Sequence, residues 1–483
     1  MSDSQNNLKQ KTFSGFIWRL LERICAQAVT FVVTVVLARI LMPQEFGIIA
    51  IVNIFIAIAD ILITSGFSTA LIQKKEADEV DFSSAFFAGL VLAAFLYAVV
   101  FFCAPLISRL YKNELLTAVI RVCGIKFFIS AVNCVQQAYV SRRMIFKKFF
   151  FATLFGTVVS GVVGIALALN GAGVWALVVQ LLTNPFIDTI VLFITVRWHP
   201  HFVFSFERLK SLFNYGWKIM CSYLAGTLFS KLSSLVVGAK YSTTELAYYN
   251  RGESLPSLVT NNISSTLESV LFPAISQFQD DKEKMKAAVK RAISLSSYVL
   301  MPLLFGLAAV ADRLTILLFT QKWEMAIPFV QIFCVYHLTI LLSNINLQVI
   351  KACGRSDTLL KLEFIKKPLF LVVIILSVQV SPICLAISTA VYGFVALYID
   401  AFPNKKFINY SFWEQLCDVK YSFLMSAIMG IAVWGIGKIP LGNLIVVLLQ
   451  IICGIFIYVC LSLLFKNKDF YYLIDLLKEK FKK

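Results

Sequence analysis

Residues 47–72 read GIIAIVNIFIAIADILITSGFSTALI, an apolar run that is long enough to cross a bilayer as one helix. Its one charged side chain is Asp60. Similar runs recur along the chain, and they predict an all-α polytopic membrane protein with about fourteen transmembrane helices, or twelve as the alternative. The predicted spans are residues 13–38, 47–72, 83–108, 115–138, 150–169, 174–196, 211–239, 247–276, 292–311, 327–350, 366–381, 383–402, 421–440 and 443–465.

The composition supports the same class. Of the 483 residues, 59% are hydrophobic and 15% are charged, and the mean hydropathy is +0.81. Because globular chains average about 25% charged residues, we expect no sizeable soluble domain.

The net charge of +17 is explained by topology. When both termini are placed in the cytoplasm, most of the 44 lysines and arginines fall on cytoplasmic segments, as the positive-inside rule requires. Residues 1–12 are then a cytoplasmic tail without a cleavable signal peptide. The charge therefore indicates membrane orientation, and we expect no nucleic-acid partner.

The sequence carries no pattern typical of an enzyme or a metalloprotein. Its 11 cysteines show no CxxC spacing, and its three histidines form no cluster. Neither a glycine-rich phosphate loop nor the spacing of a catalytic triad is present. We expect a transporter without a cofactor, for which a proton or sodium gradient, or the membrane potential, would supply any energy.

Seven basic side chains lie inside the predicted spans, where lipid cannot solvate them. A charged residue at such a position marks a functional site by default, because its burial is costly. Cations in both halves of the chain predict a central positive cavity for an anion, and arginine suits the bidentate binding of phosphate. The seven are Arg19, Arg23, Arg121, Lys126, Lys218, Lys231 and Arg251.

These cations are not equivalent candidates. Lys126 and Lys231, followed by Arg121, are the strongest, because they lie deepest in the predicted spans. Arg23 could bind the substrate or could instead form a structural ion pair with a glutamate. Three others lie near predicted helix ends, where a long side chain can reach the headgroups: Arg19, Lys218 and Arg251.

Intramembrane carboxylates are candidates for ion coupling. Asp60 and Glu253 are the main ones, because a carboxylate in a low-dielectric site can carry a proton. Glu22 and Glu268 are further candidates, and either could instead neutralise a cation in a structural pair. Asp400 is expected to be hydrated near a cytoplasmic boundary.

The chain also repeats itself at a spacing of about 200 residues. Trp18-Arg19 near the start of the first half corresponds to Trp217-Lys218 in the second, and each pair precedes a loop with a cation and then a carboxylate. Parallel repeats of this kind build transporters from two bundles. We assign residues 13–205 to an N-terminal lobe of six spans and residues 206–402 to a C-terminal lobe of six spans.

Five segments carry a family resemblance. They are residues 38–47 (ARILMPQEFG), 66–73 (GFSTALIQ), 173–177 (GVWAL), 249–251 (YNR) and 272–280 (FPAISQFQD). These segments resemble the signatures of Wzx-type polysaccharide exporters in the multidrug/oligosaccharidyl-lipid/polysaccharide (MOP) flippase superfamily. They are most similar to the branch that exports colanic acid and teichuronic acid.

The resemblance implies a flippase of the bacterial inner membrane that works by alternating access. Its substrate would be an oligosaccharide unit linked to undecaprenyl pyrophosphate, for O-antigen, capsule or exopolysaccharide biosynthesis. The polysaccharide polymerase machinery would be a further partner. The resemblance also implies two pseudo-symmetric six-helix lobes around a central cavity, with two additional spans in residues 403–465.

Three other functions stay open as alternatives. A flippase for a peptidoglycan lipid precursor would bind the same pyrophosphate end of the carrier. A multidrug extruder would need an acidic cavity, which the cations inside the spans disfavour. A membrane-embedded polysaccharide polymerase would expose a larger charged loop than residues 311–326.

The C-terminal residues 466–483 alternate apolar side chains with lysines. This pattern predicts an amphipathic helix on the cytoplasmic leaflet, where anionic lipids would attract the lysines.

Overall fold

The computed structural model describes residues 2–74, 77–143, 145–196, 198–279 and 281–481. Every regular element in these ranges is helical, and no β-strand occurs among them. The predicted all-α class is therefore confirmed. Within the same ranges, 12 helical segments are long and apolar enough to cross a membrane, which is the lower of the two predicted numbers.

The helices form two compact units, one reaching to Ala247 and the other starting at Tyr248. The helices of the first unit are α1 (Ser2–Ile40), α2 (Pro43–Asp60), α3 (Gly66–Gln73), α4 (Glu79–Leu110), α5 (Leu115–Cys123), α6 (Lys126–Arg143), α7 (Phe146–Leu169), α8 (Val174–Thr195) and α9 (Phe206–Lys240). Helix α10 (Thr243–Ser276) runs from the first unit into the second.

The second unit holds most of α10 and eight further helices. They are α11 (Lys282–Phe319), α12 (Ile327–Ala352), α13 (Ser356–Ser377), α14 (Pro382–Ala401), α15 (Asn404–Ile408), α16 (Phe412–Ile436), α17 (Asn443–Leu464) and α18 (Lys468–Phe481). A 3₁₀ turn, Gln321–Ala326, precedes α12.

Each of the fourteen predicted spans coincides with helical structure, although two of these helices are too polar to count as membrane spans by composition. The two are α10, with 34 residues, and α13, with 22 residues. Helix α13 begins at Ser356, ten residues before the predicted start of the span at 366, and the added turns carry several charges. Helix α1 also starts earlier than predicted, so residues 2–12 extend this helix.

Helix α9 packs inside the first unit against α2, α3 and α4. Two glycines permit the approach of α9 to α3, since a Cβ atom on Gly216 would lie 2.2 Å from the backbone oxygen of Gly66. The predicted lobe boundary between residues 205 and 206 therefore differs from the boundary of the compact units. The lobe boundary follows from repeat topology rather than from packing, and it stays a prediction.

The second predicted span is not a continuous α-helix. A π-helical turn, Ile61–Ser65, separates α2 from α3. The hydroxyl of Thr64 donates a hydrogen bond of 2.7 Å to the backbone oxygen of Asp60 at the start of this turn. Such turns occur often at functional sites, because they change the direction in which neighbouring side chains point.

The C-terminal segment forms the predicted helix, α18, over Lys468–Phe481. Phe470 and Leu473 pack against a buried cluster that includes Tyr298, Met429 and Tyr458. Part of the apolar surface of α18 is thus covered by the second unit. The predicted contact of this helix with anionic lipid stays a prediction, and its last two lysines, Lys482 and Lys483, lie outside the described residues.

Candidate functional site

The structure brings two predicted site residues together as an ion pair. The Nζ atom of Lys126 lies 2.7 Å from Oδ2 of Asp60, and the hydroxyl of Ser130 donates a hydrogen bond of 2.8 Å to Oδ1. Asp60 ends α2 just before the π-helical turn, whereas Lys126 and Ser130 lie one turn apart on α6. Both charged side chains keep partial access to solvent, 18% for Lys126 and 25% for Asp60. The cation and the carboxylate therefore neutralise each other at a site that solvent can reach.

The same face of α6 carries a second polar contact. The amide nitrogen of Asn133, one turn beyond Ser130, donates a hydrogen bond of 2.6 Å to Asp188 on α8. Both side chains are buried, and Oδ1 of Asp188 has no hydrogen-bond partner among the described atoms. Lys126, Ser130 and Asn133 thus form a polar stripe along one face of α6. This stripe contacts Asp60 on α2 and Asp188 on α8.

Arg19 and Glu22 form a local ion pair on α1. The distance between Nη1 of Arg19 and Oε2 of Glu22 is 2.9 Å, and the guanidinium lies 4.1 Å from the ring centroid of Phe149. The hydroxyl of Thr153 donates a hydrogen bond of 3.2 Å to Glu22. These contacts tie α1 to α7, and they give Glu22 a structural partner.

Three of the predicted cations are exposed and unpaired. Arg23 on α1 and Lys218 and Lys231 on α9 are exposed, and none of them forms an ion pair with another described residue. Arg23 also lines a cavity along α1 together with the Arg19–Glu22 pair. These three side chains can offer a positive charge to a ligand without first breaking an ion pair with another described residue.

Arg121, by contrast, is held by the neighbouring helix α4. Its Nε atom donates a hydrogen bond of 3.3 Å to the backbone oxygen of Phe101, and its guanidinium lies 4.1 Å from the ring centroid of the same residue. The structure gives Arg121 a role in joining α5 to α4, which the sequence did not indicate.

The candidates in the second unit lie on α10. The guanidinium of Arg251 lies 4.8 Å from the ring centroids of both Phe319 and Trp323. Glu253 and Glu268 are half-buried on the same helix. Arg251 is thus a cation held over two aromatic rings at the end of α11 and the turn that follows it.

A buried charge cluster in the second unit was missed. The Nζ atom of Lys366 on α13 lies 2.9 Å from Asp400 on α14 and 2.8 Å from Glu363 one turn earlier. Asp400 is 2% exposed, so the prediction that it is hydrated is wrong. Because α13 begins ten residues earlier than predicted, Lys366 lies well inside this helix rather than at its start, and its side chain reaches Asp400. The spacing of Glu363 and Lys366, which suits a pair on one helix face, was a signal in the sequence.

Long helices that carry exposed cations, buried carboxylates and ion pairs inside membrane spans define a polytopic membrane transporter. The profile of the polysaccharide biosynthesis protein family matches residues 36–328, which is more than half of the chain. The chain belongs to this family.

Two curated relatives agree with this assignment. The succinoglycan biosynthesis transport protein ExoT of Rhizobium meliloti is 26% identical over 312 residues, which cover 64% of this chain and 63% of ExoT. The chain thus spans less than two thirds of the length of ExoT. The teichuronic acid biosynthesis protein TuaB of Bacillus subtilis is 23% identical over 439 residues, which cover 89% of this chain and 90% of TuaB. The resemblance to polysaccharide exporters is confirmed.

A solved structure shows the same fold. The lipid II flippase MurJ in an inward closed conformation is similar with a TM-score of 0.73 over 93% of this chain and 98% of MurJ. The sequence identity is 14%, so this likeness concerns the fold alone. It agrees with the predicted fold of the MOP flippase superfamily.

Proposed function

We propose that this protein flips oligosaccharide units, linked to undecaprenyl pyrophosphate, across the bacterial inner membrane for the biosynthesis of a surface polysaccharide. The family and the names of ExoT and TuaB support a role in polysaccharide export. The observation that carries the proposal is a set of exposed cations on two long helices that form no ion pair with another described residue, Arg23 on α1 and Lys218 and Lys231 on α9.

The substrate explains why these cations are retained. A pyrophosphate carries negative charge that cannot enter hydrocarbon unaided, since burial of an ion costs several kcal/mol or more. The guanidinium of Arg23 suits the oxygens of a phosphate bidentately, whereas the two lysines supply compact charges. Lys218 and Lys231 lie about 20 Å apart along α9, so the three side chains would bind the pyrophosphate end of the carrier in turn rather than together.

The Asp60–Lys126 pair would serve as the switch in this cycle. Because both side chains keep partial access to solvent, a phosphate oxygen of the substrate can replace the carboxylate beside Lys126. This exchange would release the link between α2 and α6 at the π-helical turn.

The remaining predictions belong to the same proposal. Both termini would lie in the cytoplasm, and the polysaccharide polymerase machinery would receive the flipped unit. Asp60 and Asp188 beside α6 are paired or hydrogen-bonded, and the exposed charges of α1 and α9 within the predicted spans 13–38 and 211–239 are basic. This distribution favours an anionic substrate over the cationic drugs of a multidrug extruder.

Translocation of a fluorescent undecaprenyl-pyrophosphate-linked oligosaccharide into vesicles tests the proposal. We expect Arg23→Gln and Lys231→Gln each to slow translocation about tenfold to a hundredfold, because each removes a charge-assisted contact worth about 1.5–3 kcal/mol. Lys210→Gln is the matched control, since Lys210 is exposed on α9 outside the predicted span and its replacement should leave the rate unchanged.

Two outcomes would contradict the proposal. One is an unchanged rate in the Arg23→Gln/Lys231→Gln double variant that is inserted at normal level. The other is the absence of translocation by the wild-type protein with lipid-linked oligosaccharide and its presence with a peptidoglycan lipid precursor, which would favour the alternative flippase.

A further inference from the structure

A basic pocket lies at one end of the second unit, where α12 passes into α13 and α14 passes into α15. Its volume is about 690 Å³. Its charged lining consists of four cations and one carboxylate, Arg355, Lys361, Lys405, Lys406 and Asp357. All four cations are exposed, and none of them forms an ion pair with another described residue. The pocket therefore carries an excess of positive charge that the described protein atoms do not neutralise.

The first wall of the pocket is held by the end of α12. Gly354 adopts a left-handed conformation with φ of +69°, which only glycine takes without strain, and this reverses the chain after α12. The amide of Arg355 then donates a hydrogen bond of 3.1 Å to the backbone oxygen of Ile350. The guanidinium of Arg355 lies 5.9 Å from the ring centroid of Phe407 across the pocket.

The opposite wall is fixed by buried amides. The side chain of Asn404, which is 0% exposed, donates a hydrogen bond of 2.7 Å to Oδ1 of Asn346 on α12. Asn346 in turn exchanges hydrogen bonds of 2.9 Å with Gln415 on α16. Because Asn404 directly precedes Lys405 and Lys406, this network positions both lysines at the pocket without using their ammonium groups as hydrogen-bond donors.

The surface beside the pocket shows at which depth it lies. Leu360 and Phe364 on α13 are 59% and 71% exposed, and Phe402 beyond α14 is 65% exposed. In a membrane protein, exposed apolar side chains of this size face lipid tails, and the cations begin where this surface ends. The pocket thus lies at the depth of phospholipid headgroups, on the side predicted to be cytoplasmic.

We propose that this pocket binds the phosphate headgroup of an anionic glycerophospholipid. The four cations and the hydroxyl of Thr358 would bind the phosphate oxygens, and Asp357 would accept a hydrogen bond from a headgroup hydroxyl such as those of phosphatidylglycerol. The acyl chains would lie along the exposed apolar side chains of α13 and α14. Basic pockets between helices on the cytoplasmic side are suited to such lipids. None of the lining residues is among the cations proposed to bind the transported substrate.

Native mass spectrometry of the full-length protein, titrated with phosphatidylglycerol and with phosphatidylcholine, tests the proposal. We expect tight binding of one phosphatidylglycerol and weak binding of phosphatidylcholine. Lys405→Gln/Lys406→Gln should weaken phosphatidylglycerol binding about 25-fold, since each lysine near an anionic headgroup contributes about fivefold. Arg355→Gln, on the other wall, should weaken it about fivefold. Lys210→Gln/Lys282→Gln, which neutralises two exposed cations elsewhere, should leave the affinity unchanged.

Competition with inorganic phosphate shows whether the pocket binds a lipid headgroup or free phosphate. Inorganic phosphate at millimolar concentration should not displace phosphatidylglycerol, because it gains nothing from the apolar surface beside the pocket. Displacement by phosphate alone, equal binding of phosphatidylcholine, or unchanged affinity in the double lysine variant would each overturn the proposal. If the double variant fails to fold, Lys405→Gln and Lys406→Gln are measured singly, and an unchanged affinity in both has the same meaning.

Discussion

Two ion pairs that join helices, one in each unit, differ in their access to solvent. The Lys126–Asp60 pair of the first unit is partly exposed, and the hydroxyl of Ser130 donates a hydrogen bond to its carboxylate. The Lys366–Asp400 pair of the second unit is nearly inaccessible, since the side chain of Lys366 is 11% exposed and that of Asp400 is 2% exposed. The difference lies mainly in the carboxylate, which is 25% exposed in the first pair and 2% exposed in the second.

This difference separates a pair that can change its partner from one that cannot. A charge that is cut off from solvent can lose its partner only at the full cost of an uncompensated buried ion. A charge that solvent reaches can exchange its partner for water, a proton or a phosphate. We therefore infer a structural role for Lys366–Asp400 and a switching role for Lys126–Asp60.

The largest expected effect comes from breaking the buried pair. Lys366→Met leaves Asp400 charged and buried, and we expect it to lower the free energy of unfolding by about 3–5 kcal/mol. The matching change in the first unit, Lys126→Met, should cost about 1–3 kcal/mol, because Asp60 keeps solvent and Ser130. Thermal unfolding in detergent measures both values.

A double replacement sharpens this comparison. Lys366→Met/Asp400→Leu removes both charges together, and we expect it to recover most of the stability that the single variant loses. Equal losses in Lys366→Met and Lys126→Met, or a double variant as unstable as Lys366→Met, would contradict the proposed difference between the two pairs.

The second effect concerns transport rather than stability. Asp60→Asn keeps a hydrogen-bonding side chain beside Ser130 but removes the negative charge that pairs with Lys126. We expect the rate of translocation to fall about tenfold, equivalent to about 1.4 kcal/mol, because Lys126 loses the partner that a phosphate is proposed to replace. Initial rates in vesicles measure this change.

Asp475→Asn is the control, because Asp475 is exposed on α18 and carries no part of the proposed switch. Its translocation rate should match that of the wild-type protein. A wild-type rate in Asp60→Asn would assign the pair a structural role only.

The sequence predicted the helices better than the contacts of their charges. Most of the apolar runs are long enough to decide a span by themselves, and the fourteen predicted spans all fall on helices. Lys126 and Asp60 were both singled out, but their pairing joins positions 66 residues apart and depends on how α2 packs against α6. Nothing local to either residue contains that information.

The missed cluster has a different cause. The charges near the start of α13 resemble a cytoplasmic loop, so Lys366 was placed at a boundary and Asp400 was expected to be hydrated. In the structure α13 begins at Ser356, and a hydrogen bond of 3.0 Å from the hydroxyl of Tyr392 to the backbone oxygen of Lys366 joins it to α14. The spacing of Glu363, Lys366 and Lys367 could have indicated a helix with paired charges on one face.

The smallest expected effects test the hydrogen bonds at the two pairs. Ser130→Ala removes one donor to Asp60, and Tyr392→Phe removes a donor that binds the backbone beside Lys366 rather than the ion pair. Each should cost about 1 kcal/mol of stability. Only Ser130→Ala should also change translocation, by a factor of about three to five, because it alters the carboxylate that is proposed to exchange its partner. Thermal unfolding and initial translocation rates, measured on the same preparations, separate the two variants. A change of equal size in the translocation rates of both would mean that loss of stability, and not the switch, limits transport.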